Sequence, residues 1–181
     1  LPIEGITYLK TFINDDGQLT PFGPKPGELV VAVIGGDDSA IADRLFLVLP
    51  IGGLTYGNTE VSTTTASTAS QSFNILRVSE AQIRVDLQIR LNDDSFDRFQ
   101  PDISRIISGF VEEWDASNVN GKDVNSFNLR NVIECKFPGI QLMSFTAGVV
   151  NGSTRALNET LGIGFSAIPR IKIENVTANF V

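Results

Sequence analysis

Apolar and polar positions alternate strictly from Ile83 to Leu91, where Ile83, Val85, Leu87, Ile89 and Leu91 interleave with Arg84, Asp86, Gln88 and Arg90. A period of two predicts an antiparallel strand with one wet face. The pattern then changes. Ile103, Ile106, Ile107, Phe110, Val111 and Trp114 recur at helical spacing. They predict an amphipathic helix opened by Pro101, where proline is tolerated. A third pattern is continuous: Leu29 to Ile34 is apolar and Val-rich. A short unbroken run of this kind predicts a strand buried on both faces.

Weaker signals fill the gaps. Ile6 to Ile13 reads as a strand with Asn14-Asp15-Asp16-Gly17 as its turn. Pro21, Pro24, Pro26 and Gly27 then favour an extended connector. Gly35-Gly36-Asp37-Asp38-Ser39 predicts a turn into a helix capped by Asp38 or Ser39. Ile41, Leu45, Val48 and Leu49 form that helix's apolar face, and Pro50 ends it. Gly52 to Gly57 reads as a glycine-punctuated loop. The Ser/Thr/Ala-rich stretch predicts a strand at Val61 to Thr65, a turn near Ser67 to Ser70 and a strand at Phe73 to Val78. Asn92 to Phe99 is a charged loop. Ser126 can cap a further helix with Leu129, Val132, Ile133 and Phe137 on one face, ended by Pro138-Gly139. Tail strands are expected near Ile140 to Phe145, Leu161 to Ala167 and Ile171 to Ala178, with Asn151-Gly152-Ser153 as a loop.

The resulting order is β, β, α, β, β, then β, α, α, β, β, β. It predicts an α+β protein of two small mixed units, each of antiparallel-rich strands packed with one or two helices. The expected boundary near Ser79-Glu80 separates residues 1–78 from 79–181.

Composition narrows the function classes. The net charge is −7 and the 14 basic residues are scattered, so neither a nucleic-acid nor a membrane-surface partner is expected. No stretch approaches the ~20 apolar residues of a membrane span. Leu1-Pro2-Ile3-Glu4-Gly5 lacks a charged n-region and an initiator Met, which reads as no signal peptide and a fragment or processed chain. Cys135 is the single cysteine, so no disulfide forms within the chain, which fits a reducing cytosol.

The chemistry available is sparse. The chain has no His, which removes the commonest general base, the commonest metal ligand and any Ser-His-Asp triad. Cys135 has no His partner for nucleophilic work and reads as a small packing residue on a helix. Acidic clusters occur at Asp15-Asp16, Asp37-Asp38, Asp93-Asp94 with Asp97, and Glu112-Glu113 with Asp115. A glycosidase needs two carboxylates facing across a cleft. Each cluster here falls in a turn or on the wet side of a helix. An EF-hand loop counted from Asp93 fails, because Arg98 and Ser104 stand where Gly and Glu are required. Gly35-Gly36 is not a phosphate-binding motif, and Asp37 and Asp38 place negative charge where phosphate would sit. No catalytic, cofactor-binding or metal residue is therefore assigned, and no small-molecule substrate is expected.

Several segments, taken in order, resemble the baseplate J-like family of contractile phage tails. They are Val30-Val31-Ala32-Val33-Ile34-Gly35-Gly36-Asp37 with Ile41-Ala42, Gly53-Leu54-Thr55-Tyr56-Gly57-Asn58, and Phe73-Asn74-Ile75-Leu76-Arg77. Gly121-Lys122-Asp123-Val124, Pro138-Gly139-Ile140 and Ile168-Pro169-Arg170-Ile171-Lys172-Ile173-Glu174-Asn175-Val176 follow at similar spacing. The resemblance runs from about Gly5 to the end and covers the family's central and C-terminal regions. It implies a wedge component of the baseplate without catalytic residues. Such a protein would be assembled in the host cytoplasm into the virion tail, and would pair with itself, as a dimer or higher oligomer, and with other wedge proteins. Another oligomeric virion or secretion-machine part is the alternative, and a carboxylate-based hydrolase a remote one.

Overall fold

The computed structural model describes residues 3–14, 23–50, 52–63, 70–91, 102–150, 152, 154–156 and 159–181. The fold is α+β. The chain divides into two compact units, Leu1–Ser79 and Glu80–Val181.

In the first unit, β1 (Ile6–Ile13) pairs antiparallel with β2 (Leu29–Gly35). The continuous run Val30 to Val33 is buried throughout, as an unbroken apolar strand requires. Helix α1 (Asp38–Val48) follows. Its N-cap is Asp37, whose extended backbone (φ −77°, ψ 135°) puts the carboxylate in reach of the Ala40 N–H. The cap thus falls one residue before the positions expected. Ile41, Ala42 and Leu45 face inward, whereas Val48 is 58% exposed at the helix's last turn. Leu49, also expected on that face, is partly buried and packs against the core, so of the four expected positions only Val48 turns outward.

Three strands complete this unit: β3 (Thr55–Tyr56), β4 (Thr59–Ser62) and β5 (Ser72–Arg77). The sheet order is β1-β2-β5-β4, with β3 also on β2. β3 and β5 both pair parallel with β2, at Leu29–Val30 and at Ala32–Val33 respectively. The loop expected at Gly52 to Gly57 therefore contains a strand. Its two residues find a partner because β5 leaves the beginning of β2 unpaired. The expected strand at Val61 begins earlier, at Thr59. Thr64, Thr65 and most of the expected turn lie outside the described residues.

The alternating strand β6 (Ser79–Leu91) enters the second unit at Glu80. Ile83, Val85, Leu87 and Ile89 are fully buried. Helices α2 (Ile103–Ala116) and α3 (Ser126–Lys136) follow, then β7 (Ile140–Val149), β8 (Thr154–Ala156) and β9 (Ala167–Phe180). The order is β8-β7-β6-β9. β6 is antiparallel to β7. Beside β9 it runs in the same direction: Arg170 reaches Glu80 at one end, and the Val181 N–H donates to Ile89 O at the other. Asp102 caps α2 and Asn125 caps α3, the latter one residue before the expected Ser126.

The core of this unit joins Ile83, Leu87 and Ile89 to Ile106, Phe110 and Trp114 of α2 and to Leu129 and Ile133 of α3. The expected strand from Leu161 to Ala167 is not one. Leu161 makes an isolated bridge to Val124, and Ala167 already belongs to β9. Gly162 and Gly164 weaken strand pairing here, and side chains take the backbone groups instead. Asp123 Oδ1 accepts from the Ile163 N–H at 2.9 Å, and Asn120 Nδ2 donates to Phe165 O at 2.7 Å.

Candidate functional site

The residues with chemical potential are occupied locally. Asp37 accepts from the Ser39 hydroxyl at 2.6 Å and from the Ala40 N–H at 3.0 Å. Chiefly the Ser39 hydrogen bond, then that of Ala40, hold its carboxyl below its ordinary 3.8. A depressed folded-state value stabilises the fold above the ordinary pKa, and that stabilisation is lost as pH falls through the folded value. The stability difference between the parent and Asp37→Asn is therefore expected to shrink as pH falls below about 4. Denaturation midpoints across an acid series check this, and a difference unchanged to pH 2 would rule out the ionised cap.

Asp38 pairs with Arg77, whose guanidinium also donates to Gly35 O, and to Gly36 O at 3.0 Å. The Arg77 N–H donates to Asn58 Oδ1 at 2.8 Å, and Asn58 Nδ2 returns a bond to Arg77 O at 3.0 Å. Three segments distant in sequence, at Gly35–Asp38, Asn58 and Arg77, thus meet at one place.

Glu112 and Glu113 lie 3.5 and 3.7 Å from Lys136, and Asp115 lies 3.3 Å from Arg170. These acids are surface ion pairs on α2. Asp15, Asp16, Asp93, Asp94 and Asp97 lie outside the described residues. Among the described residues, no group of three or more His, Cys, Asp or Glu is placed to hold a metal.

Cys135 corrects an expectation. It is exposed, and its thiol donates to Asn131 Oδ1 at 3.2 Å one helical turn away. The inward face of α3 runs through Leu129, Val132 and Ile133, and Cys135 points away from it. Trp114 is fully buried. Its indole N–H donates to Pro169 O at 3.1 Å, and Lys122 Nζ sits 4.4 Å from the ring centroid. Lys122 also donates to Ser117 O at 3.2 Å, placing a cation at the C-terminus of α2. Burial pushes the Lys122 ammonium below its ordinary pKa.

What the geometry offers is surface. Among the described residues, β4 and β9 are each the last strand of a sheet. A terminal strand carries unpaired backbone groups along one side. Between β1 and α1 lies an apolar groove of about 220 Å³, with Leu9 and Val48 exposed at its rim. The sequence reading missed Ile173, which is 56% exposed between Lys172 and Glu174. Its signal was present in the charges flanking a lone aliphatic residue. No protein-family model and no curated protein matches the chain.

Proposed function

We propose that this chain is a structural, non-catalytic subunit of a contractile-tail baseplate or a related injection machine, of the baseplate J-like wedge type. The observation that carries the reading is the meeting of the Gly35–Asp38, Asn58 and Arg77 segments. They are three of the stretches in which the sequence resembles that family, and here they form one hydrogen-bonded turn assembly. Such an assembly holds the β2–α1 turn, and its two acids are engaged structurally, Asp37 as the cap of α1 and Asp38 in the ion pair with Arg77. Terminal strands in both sheets suit a protein whose work is to hold neighbours in register. In this reading its partners are further copies of itself and other wedge proteins.

The test is co-expression of the full chain with the products of the genes beside its own. The expected result is co-purification with tail proteins and incorporation into tail-like particles. Neighbouring genes without tail functions, together with no binding to their products, would overturn the assignment. Turnover of peptidoglycan, ester or phosphate substrates that disappears with Glu112→Gln or Glu113→Gln would do the same.

A further inference from the structure

We propose that β9 pairs antiparallel with β9 of a second copy of this chain, about a two-fold axis through Ile173. The proposal deepens the assembly reading and rests on its claim that the chain associates with itself.

Among the described residues, β9 is the terminal strand of its sheet, with β6 as its one strand neighbour. From Val176 to Asn179 buried and exposed positions alternate. Lys172, Ile173 and Glu174 break that pattern, because all three are exposed in succession. The inward parity changes across them, from Ile171 on one side to Val176 and Ala178 on the other. The result is an aliphatic side chain, 56% exposed, on a sheet edge between two charges of opposite sign.

That triplet is self-complementary. In an antiparallel pair centred on Ile173, Lys172 lies opposite Glu174 of the second copy, and Glu174 opposite its Lys172. Ile173 meets Ile173. Because residues i and i+2 share a face, both ion pairs form on one face of the extended sheet and the isoleucine contact on the other. Directly opposed charges of unlike sign stabilise antiparallel strands, and like charges destabilise them. A two-fold contact uses the same patch twice, as this register does.

Within one copy, Lys172 and Glu174 stand 4.0 Å apart, with side chains 56% and 70% exposed. That contact is loose and solvated, so both groups are available to a partner. The register also has a natural end. Pro169 O is already taken by the Trp114 indole and the Asn118 amide. The free edge therefore starts at Arg170, which in this register lies opposite Val176. Residues 170–176 make a strand of ordinary length.

Charged side chains on an edge strand also serve as guards against pairing. A guard of one sign repels every further copy of the chain. The alternation of Lys172 and Glu174 instead rejects partners in other registers and accepts its own two-fold mate.

The experiment is sedimentation velocity of the full chain over a concentration series, with four proteins: the parent, K172E, E174K and the double variant K172E/E174K. Circular dichroism and thermal melts confirm that each folds, as exposed positions allow. The parent is expected to dimerise. Each single reversal sets like charges opposite each other at both pairs, and is expected to weaken the dimer about tenfold or more. The double variant restores both pairs with their signs exchanged, and is expected to return to within about threefold of the parent. An equimolar mixture of K172E and E174K is also complementary, and is expected to associate more tightly than either variant alone.

Single variants that dimerise like the parent would overturn the β9 contact while leaving self-association intact. So would a double variant as weak as the singles. A parent chain that stays monomeric throughout would overturn the inference together with self-association. Baseplate membership would still be decided by the co-purification test.

Discussion

Phe110→Ala is expected to destabilise the second unit by about 3–5 kcal/mol, the usual range for truncating a buried phenylalanine. The ring is fully buried in the cluster that joins α2 to β6 and α3. Its centroid lies 6.4 Å from that of Trp114, with the planes tilted by 41°. The neighbours cannot close the space left behind. Ile106 and Trp114, one turn away on either side of the same helix, are themselves fully buried, and the Trp114 indole is tied to Pro169 O. Chemical denaturation followed by the fluorescence of Trp114, the only tryptophan, reads this unit directly. A loss below about 1 kcal/mol would show that the face of α2 is misassigned.

Gly57→Ala is expected to destabilise the first unit by about 3 kcal/mol, the upper end of the usual range for forcing extra atoms into a packed site. A Cβ at this position would stand 2.0 Å from Ile75 O and 2.1 Å from its carbonyl carbon. Both atoms belong to backbone, so no side chain can swing aside. β5 would have to move away from the segment that links β3 to β4. That movement would disturb the Thr59↔Ile75 register and the bonds between Asn58 and Arg77. Amide hydrogen exchange should report it as lost protection along β4 and β5, with β6 and β7 unchanged. An alanine variant as stable as the parent would mean that the two backbones do not approach so closely.

These two positions differ in how far the sequence exposed them. Phe110 sits in a stripe of six apolar residues at helical spacing, and a helix that must bury one face admits no other reading of that stripe. The clash at Gly57 is invisible in the sequence. Glycine there reads as loop punctuation, and only the arrival of Ile75 on β5, 18 residues away, turns it into a required close approach. Cys135 and Val48 show the same limit. Each lies on an element the sequence located, yet its exposure depends on what packs against that element.

The sequence by itself determined the elements with long, clean periods: β2, β6, α2 and most of α3. It also determined the α+β character of the chain and its lack of histidine chemistry. Periodicity is a local property, because the faces of a helix or strand follow from 3.6 or 2 residues per repeat. Only the tertiary structure decided which strands lie at the edges, and that β8 forms at Thr154–Ala156 while Leu161 to Ala167 is held by Asp123 and Asn120. It alone decided that Arg77 reaches back across some forty residues to Gly35, Gly36 and Asp38. Those outcomes depend on pairings between distant segments. A strand's own pattern states which face it buries, but not which neighbour it finds or whether one side is left without any.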